Sequence, residues 1–315
     1  MYIGVDIGGT KCAVTIADKD AVIKGKIRFD TIPENPSANI DNIQEAINKL
    51  KKGAITAIGV SCGGPLNSKK GIIMSPPNLP GWDYIHIVDI MQKEFNAPAF
   101  LQNDANACAL AEWKFGAGRG CQNMVFLTFG SGMGAGLILD GRLYSGASDM
   151  AGELGHVRMA DEGPVGYGKA GSFEGFCSGG GIAQIAYNTV LEKIQRGERV
   201  GFCNDLPSAR ALSAKDVAIA AENGDETAIE IYNKCGQYLG KGLAILVDIL
   251  NPERIVIGGI FTRSRNLLWS SASEVLKKES LRFAYECCEV VPAALGEEIG
   301  DVAAISVGIN GYEEK

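Results

Sequence analysis

The chain has 315 residues, 46% of them hydrophobic, and a formal net charge of −7. This length and hydrophobic fraction predict a large buried core divided between two domains. The acidic balance argues against a nucleic-acid-binding surface, which needs concentrated basic residues, and no apolar run approaches the roughly 20 residues that span a bilayer.

Cysteine usage and the start of the chain both bear on location. The nine cysteines follow no disulfide framework, which is typical of reduced thiols. The first predicted strand begins at Tyr2 and leaves no room for a signal peptide. We therefore expect a cytoplasmic protein.

Apolar periodicity predicts alternating strands and helices along the chain. Besides two glycine-rich hairpins, the predicted strands lie at 21–29, 54–61 and 99–101, and residues 254–259 are predicted to be a strand followed by a glycine turn. The predicted helices lie at 39–52, 86–95, 105–115, 214–223 and 226–250. A glycine-rich stretch at 116–120 is predicted to be a hinge.

One glycine-rich pattern occurs twice. Residues 5–18 read VDIGGTKCAVTIAD and residues 127–140 read LTFGSGMGAGLILD, so that Gly8 aligns with Gly130. Each copy is an apolar strand, a turn and a second apolar strand, which predicts a β-hairpin. Glycines in such a turn let backbone N–H groups approach an anion closely.

The two hairpins allow two interpretations. Neither matches a Walker A motif or a dinucleotide-binding fingerprint, and a single copy would be compatible with an ordinary hairpin. The duplication favours two lobes that grip one polyphosphate, and therefore a nucleotide-binding cleft. The residues predicted to contact phosphate are Gly8, Gly9, Thr10, Lys11, Gly130, Ser131, Gly132 and Gly134.

Six motifs, taken in chain order, resemble those of the ROK family of sugar kinases, a name that stands for repressors, open reading frames and kinases. They are D6-I-G-G-T-K11, P76-P-N-L-P-G-W82, Q102-N-D-A-N-A107, E153-L-G-H156, G224-D225 and N251-P-E-R-I-V-I-G-G259, and they extend over nearly the whole chain. The resemblance implies an α/β protein of the actin-like ATPase (ribonuclease H-like) fold, with duplicated mixed sheets around an ATP cleft. The smaller lobe is expected to comprise 1–117 and 299–315, and the larger lobe 118–298.

Asp104 is the candidate catalytic residue. It follows a predicted strand, comes after Asn103 and precedes a helix. An ionised carboxylate can accept the proton of a sugar hydroxyl, and Asn103 can orient that hydroxyl. The alternative is an Asn-Asp helix N-cap, which is compatible with catalysis. Resemblance to the family favours Asp104 as general base.

A second group of residues is predicted to bind sugar. Glu153 and His156 lie three residues apart around a glycine, and Glu174 follows. A purely structural histidine is the alternative for His156. In the ROK family, residues at these three positions contact the sugar ring. The predicted substrate-binding residues are therefore Gly64, Asn103, Asp104, Glu153, His156 and Glu174.

The loop before Glu174 departs from the family pattern. Typical members carry C-x-C-G-x-x-G-C-x-E, in which three thiolates and the histidine hold a structural zinc. Here the same register reads V165-G-Y-G-K-A-G-S-F-E174. Neither valine nor serine replaces a thiolate ligand, so no zinc is expected. Burial of Val165 and Tyr167 is the predicted replacement for the metal.

The remaining ligand assignments concern ATP and magnesium. Asp6, at the end of the first strand, is predicted to hold Mg²⁺ through water, since Mg²⁺ keeps much of its hydration. Gly258 and Gly259 end a strand where the resemblance implies adenosine. Ile260 stands where the family usually has a further glycine, which leaves the adenine contacts open.

The resulting hypothesis is an ATP-dependent kinase that phosphorylates the 6-hydroxyl of a hexose, with glucose as the first choice. An N-acetylmannosamine or N-acetylglucosamine kinase and a fructokinase are the alternatives. A repressor would need a helix-turn-helix before the first strand, and a non-catalytic sugar sensor would be expected to lack Asp104 or Lys11. We expect a homodimer with no nucleic-acid or membrane partner.

Overall fold

The computed structural model describes residues 1–315, apart from the side chain of Glu297. The strands are β1 (Tyr2–Ile7), β2 (Lys11–Ala17), β3 (Ile23–Asp30), β4 (Ala57–Cys62), β5 (Leu66–Asn67), β6 (Ile72–Ile73), β7 (Ala99–Asn103), β8 (Met124–Phe129), β9 (Met133–Leu139), β10 (Arg142–Leu143), β11 (Val165–Gly166), β12 (Lys169–Ala170), β13 (Arg254–Ile257) and β14 (Glu289–Pro292). The α-helices are α1 (Pro36–Leu50), α2 (Ile87–Phe95), α3 (Asp104–Phe115), α4 (Phe173–Phe176), α5 (Gly179–Gln195), α6 (Leu206–Arg210), α7 (Ala214–Glu222), α8 (Glu226–Leu250), α9 (Ile260–Glu279), α10 (Arg282–Cys287) and α11 (Ile299–Glu313).

Two five-stranded sheets repeat one architecture. The first has the order β3-β2-β1-β4-β7 and the second the order β10-β9-β8-β13-β14. In the first sheet β1, β2 and β3 are antiparallel, whereas β4 and β7 run parallel to β1. Strands β1 and β8 each have six residues, and β2 and β9 each have seven. The predicted α/β fold with duplicated mixed sheets is confirmed.

The observed bounds of some helices and strands differ from the predicted ones for local chemical reasons. Helix α1 begins at Pro36, earlier than predicted, because the Asn35 side chain accepts the Ala38 N–H and proline suits the first helical turn. Strand β7 extends to Asn103 because its pairing with β4 continues to Cys62. Helix α8 has the predicted bounds. Three long helices, α5, α9 and α11, were not predicted.

The chain divides into two compact units. The first comprises 1–126, 136–152 and 294–315, and the second comprises 127–135 and 153–293. This division differs from the predicted lobe boundary at 117 and 118, since 118–126 and 136–152 pack within the first unit. Gly136 shows why: a Cβ there would lie 2.5 Å from that of Ala109 on α3, so β9 approaches this helix closely.

Helix α11 packs tightly on the first sheet. A Cβ added at Gly59 would lie 2.0 Å from the Ala304 carbonyl oxygen and 2.3 Å from the Gly308 nitrogen. This close approach brings Asp301, in the first turn of α11, next to the sheet. None of the helices in the described part of the chain is long and apolar enough to cross a membrane.

Candidate active site

Asp104 lies in the first unit, at the junction of β7 and α3. Asn103 is the N-cap of α3, and its Oδ1 accepts the N–H groups of Ala105 (2.9 Å) and Asn106 (3.4 Å). Asp104 is the first helical residue, and its Oδ1 accepts the Ala105 N–H at 2.8 Å. The cap therefore belongs to Asn103, and it fixes the Asp104 carboxylate at a solvent-accessible position. Gly64 is near, since a Cβ there would lie 3.6 Å from Asn103 Nδ2.

The carboxylates of the first unit form a crowded electrostatic environment. Asp104 keeps contact with solvent, but the protein packed around its carboxylate desolvates it and raises its pKa, partly offset by hydrogen bonds from the helix start. Desolvation also raises the pKa of Asp6 from 3.8 to about 7, and the charges of Asp104 and Asp301 add to the effect. Lys26 opposes it, with its Nζ 2.5 Å from Asp301 Oδ2. Neither Lys26 nor Asp301 was predicted from the sequence.

This environment makes stability depend on pH. Asp6 keeps its proton to higher pH in the folded than in the unfolded chain, so the free energy of unfolding falls as pH rises from 3.8 to about 7. Asp6→Asn cannot ionise and is therefore expected to be more stable than wild type above pH 7 and equally stable near pH 4. Thermal unfolding of the nucleotide-free proteins in a metal chelator, at both pH values, measures the difference. An equal shift at both pH values would contradict the assigned ionisation.

The first glycine turn is braced by the side chain of Thr31, which the sequence did not single out, and by backbone groups of Lys11 and Asn78. Gly8 donates its N–H to the Lys11 carbonyl (3.1 Å), and Thr31 Oγ1 donates to the Gly8 carbonyl (2.6 Å). A Cβ at Gly9 would lie 2.5 Å from the Asn78 carbonyl oxygen. A side chain at position 9 would therefore collide with Asn78, whether or not a ligand is bound. Thr10 and the Lys11 side chain are exposed.

In the second unit, three glycine-containing segments converge. The Gly130 carbonyl accepts the N–H of Gly179, the first residue of α5, at 2.8 Å. A Cβ at Gly259 would lie 2.1 Å from the Phe129 carbonyl oxygen, beside the same turn. The N-terminus of a helix favours a bound anion. The structure therefore brings the predicted glycines Gly130 and Gly259 together and adds α5, whose start S178-G-G-G181 was a missed signal.

The other predicted phosphate contacts lie around this convergence. Ser131 is exposed, and Gly258 donates its N–H to the Leu127 carbonyl at 2.9 Å. Gly134 is engaged with Thr128, whose Oγ1 accepts its N–H at 2.8 Å. Ser131 is therefore the exposed hydroxyl of the second turn, whereas Gly134 contacts its own strand partner.

The predicted sugar-binding residues of the second unit occupy two adjoining segments. Glu153 precedes a single helical turn that His156 ends, and the His156 N–H donates to the Glu153 carbonyl at 3.1 Å. Both residues are exposed. Glu174, in α4, is half-buried, and its Oε2 accepts the Met133 N–H at 3.0 Å. Glu174 thus contacts the start of β9 directly.

The predicted compensation by buried Val165 and Tyr167 is wrong. Val165 is 48% exposed and Tyr167 is 77% exposed. The reason is a tight hairpin between β11 and β12, in which Tyr167 (φ 43°) and Gly168 (φ 74°) form the turn. Positive φ at both central residues is typical of two-residue hairpin turns, whose side chains lie outside the ladder.

Polar contacts hold this loop instead. Gln184 of α5 accepts the Val165 N–H (2.8 Å) and donates to the Val165 carbonyl (2.9 Å), as a neighbouring strand would. Ser172 is fully buried and caps α4 by accepting the Gly175 N–H at 3.1 Å. Lys169 Nζ donates to the His156 carbonyl at 2.7 Å. The loop is therefore tied both to α5 and to the His156 turn.

Gln184→Ala tests this arrangement. Loss of both amide contacts is expected to loosen the hairpin and to lower resistance to limited proteolysis at 165–170, because two backbone groups lose their protein partners. Mass spectrometry of the early cleavage products measures the effect. Gln195→Ala, at the far end of the same helix, is the matched control. Unchanged cleavage within 165–170 would show that the amide contacts are dispensable.

No group of three His, Cys, Asp or Glu side chains among the described residues is arranged to hold a metal ion. One observation nevertheless fits a hydrated Mg²⁺: Asp6 lies near the like charges of Asp104 and Asp301, and a cation would relieve their repulsion. Asp6 would hold Mg²⁺ through water, and Mg²⁺ would supply charge neutralisation for phosphate.

Comparisons with known proteins agree with this architecture. The sequence pattern of the ROK family matches residues 2–307. A glucokinase from Halalkalibacterium halodurans is 32% identical over 308 residues, which cover 95% of this chain and 92% of the relative. A ROK hexokinase structure from Thermus thermophilus superposes with a TM-score of 0.81 at 26% identity, covering 100% of this chain and 99% of that one. A ROK glucokinase from Streptomyces griseus, in complex with glucose and AMPPNP, has a TM-score of 0.75 at 26% identity and 98% coverage of both chains.

The two matched sheets and their glycine turns define a protein with the actin-like ATPase fold. The chain belongs to the ROK family. Regulators are also among its relatives: the DNA-binding transcriptional dual regulator NagC of Escherichia coli is 25% identical over 292 residues, covering 89% of this chain and 68% of that protein.

Proposed function

We propose that the protein is a sugar kinase that transfers the γ-phosphate of ATP to the 6-hydroxyl of a hexose, with glucose as the preferred substrate. The observation that carries the proposal is Asp104, an accessible carboxylate fixed at the first turn of α3 with a raised pKa. A base that titrates closer to neutrality is a better proton acceptor for a hydroxyl nucleophile. The glucokinase relatives support the choice of hexose.

The residues have separate roles in this proposal. Asp104 accepts the hydroxyl proton as the oxygen attacks phosphorus, and the Asn103 side chain braces the helix start that holds it. Glu153, His156 and Glu174 bind the hexose hydroxyls. The glycine turns at Gly8 and Gly130 bind the phosphates through backbone N–H groups. In such a reaction catalysis comes from positioning and from charge stabilisation.

A coupled assay of ADP release tests the function. Purified protein with ATP and Mg²⁺ is supplied in turn with glucose, mannose, fructose, allose, N-acetylglucosamine and N-acetylmannosamine. We expect glucose to give the highest kcat/KM. If kcat/KM is highest with an N-acetylated hexosamine or with fructose, the protein is still a sugar kinase, but glucose is not its preferred substrate. No turnover with any sugar would contradict the kinase and favour a sugar-responsive regulator, the class that relatives such as NagC represent.

A further inference from the structure

Glu174 contacts three segments of the second unit, which contain Gly132, Gly155 and Gly166. A Cβ at Gly132 would lie 2.7 Å from Glu174 Oε2. A Cβ at Gly155, in the turn that carries His156, would lie 3.3 Å from Glu174 Cβ, and one at Gly166 would lie 2.8 Å from the same atom. No ordinary side chain fits at Gly132 or Gly166 without displacing Glu174. The Cβ of Glu174 is therefore packed against the Gly155 and Gly166 segments, whereas its carboxylate lies against the turn at Gly132.

The carboxylate of Glu174 links α4, which is assigned to the hexose, with the start of β9, which follows the glycine turn assigned to the nucleotide. Oε2 accepts the N–H of Met133, the first residue of β9 and the residue that directly follows the second glycine turn. Glu174 itself lies in the first turn of α4, whose N-cap is the buried Ser172. Oε1 is not used in the bond to Met133. A carboxylate has lone pairs for several donors, so a hydroxyl can be accepted at Oε1 while Met133 stays bound.

We propose that Glu174 couples hexose binding to the conformation of the second glycine turn. This inference rests on the proposed function, because it assigns a hexose hydroxyl to Oε1 and the nucleotide to the turn. A hydroxyl bound at Oε1 fixes the carboxylate rotamer, and that rotamer sets the position of the Met133 amide. The turn preceding Met133 is then ordered before ATP arrives. Hexose and nucleotide therefore bind cooperatively, and the coupling is reciprocal.

The test measures this coupling directly. The Kd of a non-hydrolysable ATP analogue is determined by calorimetry without and with a saturating concentration of the hexose that the wild-type enzyme phosphorylates. In wild type the hexose is expected to tighten analogue binding about fivefold or more. Glu174→Asp shortens the side chain so that it cannot reach both partners, and its coupling factor is expected to fall to about one. Gly132→Ala keeps the carboxylate but displaces it, and is expected to reduce the factor as well.

Two further measurements separate coupling from a general structural effect. Glu162→Gln changes an exposed glutamate of the same loop and is expected to keep the wild-type coupling factor. The Met133 amide resonance is expected to shift when hexose is added to nucleotide-free wild type, and to stay unmoved in Gly132→Ala. This second variant decides the matter if Glu174→Asp does not fold.

Failure of the Glu174 coupling and failure of the kinase assignment give different results. If wild type phosphorylates a hexose but Glu174→Asp or Gly132→Ala retains the full coupling factor, the inference is overturned and the kinase assignment stands. A wild-type coupling factor of one overturns it equally. If wild type phosphorylates no sugar, the proposed function fails first and the inference fails with it.

Discussion

Replacement of Asp104 by asparagine is expected to lower kcat by about 10²–10⁴-fold, the usual contribution of general-base catalysis, with little change in hexose affinity. Asparagine keeps the size of the side chain and an oxygen for the Ala105 N–H, which the Asp104 Oδ1 accepts at 2.8 Å. What is lost is the acceptor for the hydroxyl proton. Steady-state kinetics with saturating ATP, together with calorimetric titration of the hexose, measure the two quantities separately.

The matched control is Asp41→Asn, which removes an exposed carboxylate from α1 in the same unit. Its turnover is expected to match that of wild type. Wild-type kcat should also fall at acid pH, beginning above the ordinary aspartate range, because desolvation raises the pKa of Asp104. Near-normal turnover of Asp104→Asn would show that Asp104 is not the general base.

The sheets and hairpins were predictable from the sequence because their signals are local. The continuous apolar runs and the glycines at Gly8 and Gly130 specify strand, turn and strand without reference to distant residues. The duplication then implied that the second half repeats the first. The matching strand lengths of β1 with β8 and β2 with β9 follow from that repetition.

The candidate site was less predictable because its contacts are distant in sequence. Lys26 and Asp301 are separated by most of the chain and meet only because α11 packs against the first sheet. Gln184 pairs with Val165 only once α5 lies beside the hairpin. An exposed lysine and a helical glutamine carry no signal of such roles.

The exposed Tyr167 illustrates a different limit of sequence reasoning. Its aromatic ring led to a prediction of burial, although the residue that follows it, Gly168, is of a type common in turns. Backbone conformation prevailed, since a two-residue hairpin between β11 and β12 leaves no position facing the core for Tyr167. What holds the loop is a set of hydrogen bonds to backbone groups, and composition does not reveal these.

Gly130→Val is expected to raise the KM for ATP about 10–100-fold, as for an overpacking cost of about 1–3 kcal/mol, while leaving the free energy of unfolding nearly unchanged. The structure makes this glycine a sharper probe of phosphate binding than Gly132 or Gly9. A Cβ at Gly132 would meet Glu174, and one at Gly9 would meet Asn78, whereas no atom of the described chain lies within 4 Å of a Cβ at Gly130. Its φ is not positive, so a side chain introduces no backbone strain.

The added side chain at Gly130 should therefore be tolerated by the free protein and opposed only by a ligand in the turn. KM values for ATP and for hexose, with thermal unfolding of the free protein, are measured for Gly130→Val and for the control Gly53→Val. Gly53 also has room for a side chain, its nearest neighbour being Met1 Cε at 3.8 Å, and it lies outside both turns. If the KM for ATP rises in Gly130→Val but not in Gly53→Val, phosphate binds against the second turn. Equal KM values for ATP in the two variants would mean that the second hairpin serves the fold and that the nucleotide binds elsewhere.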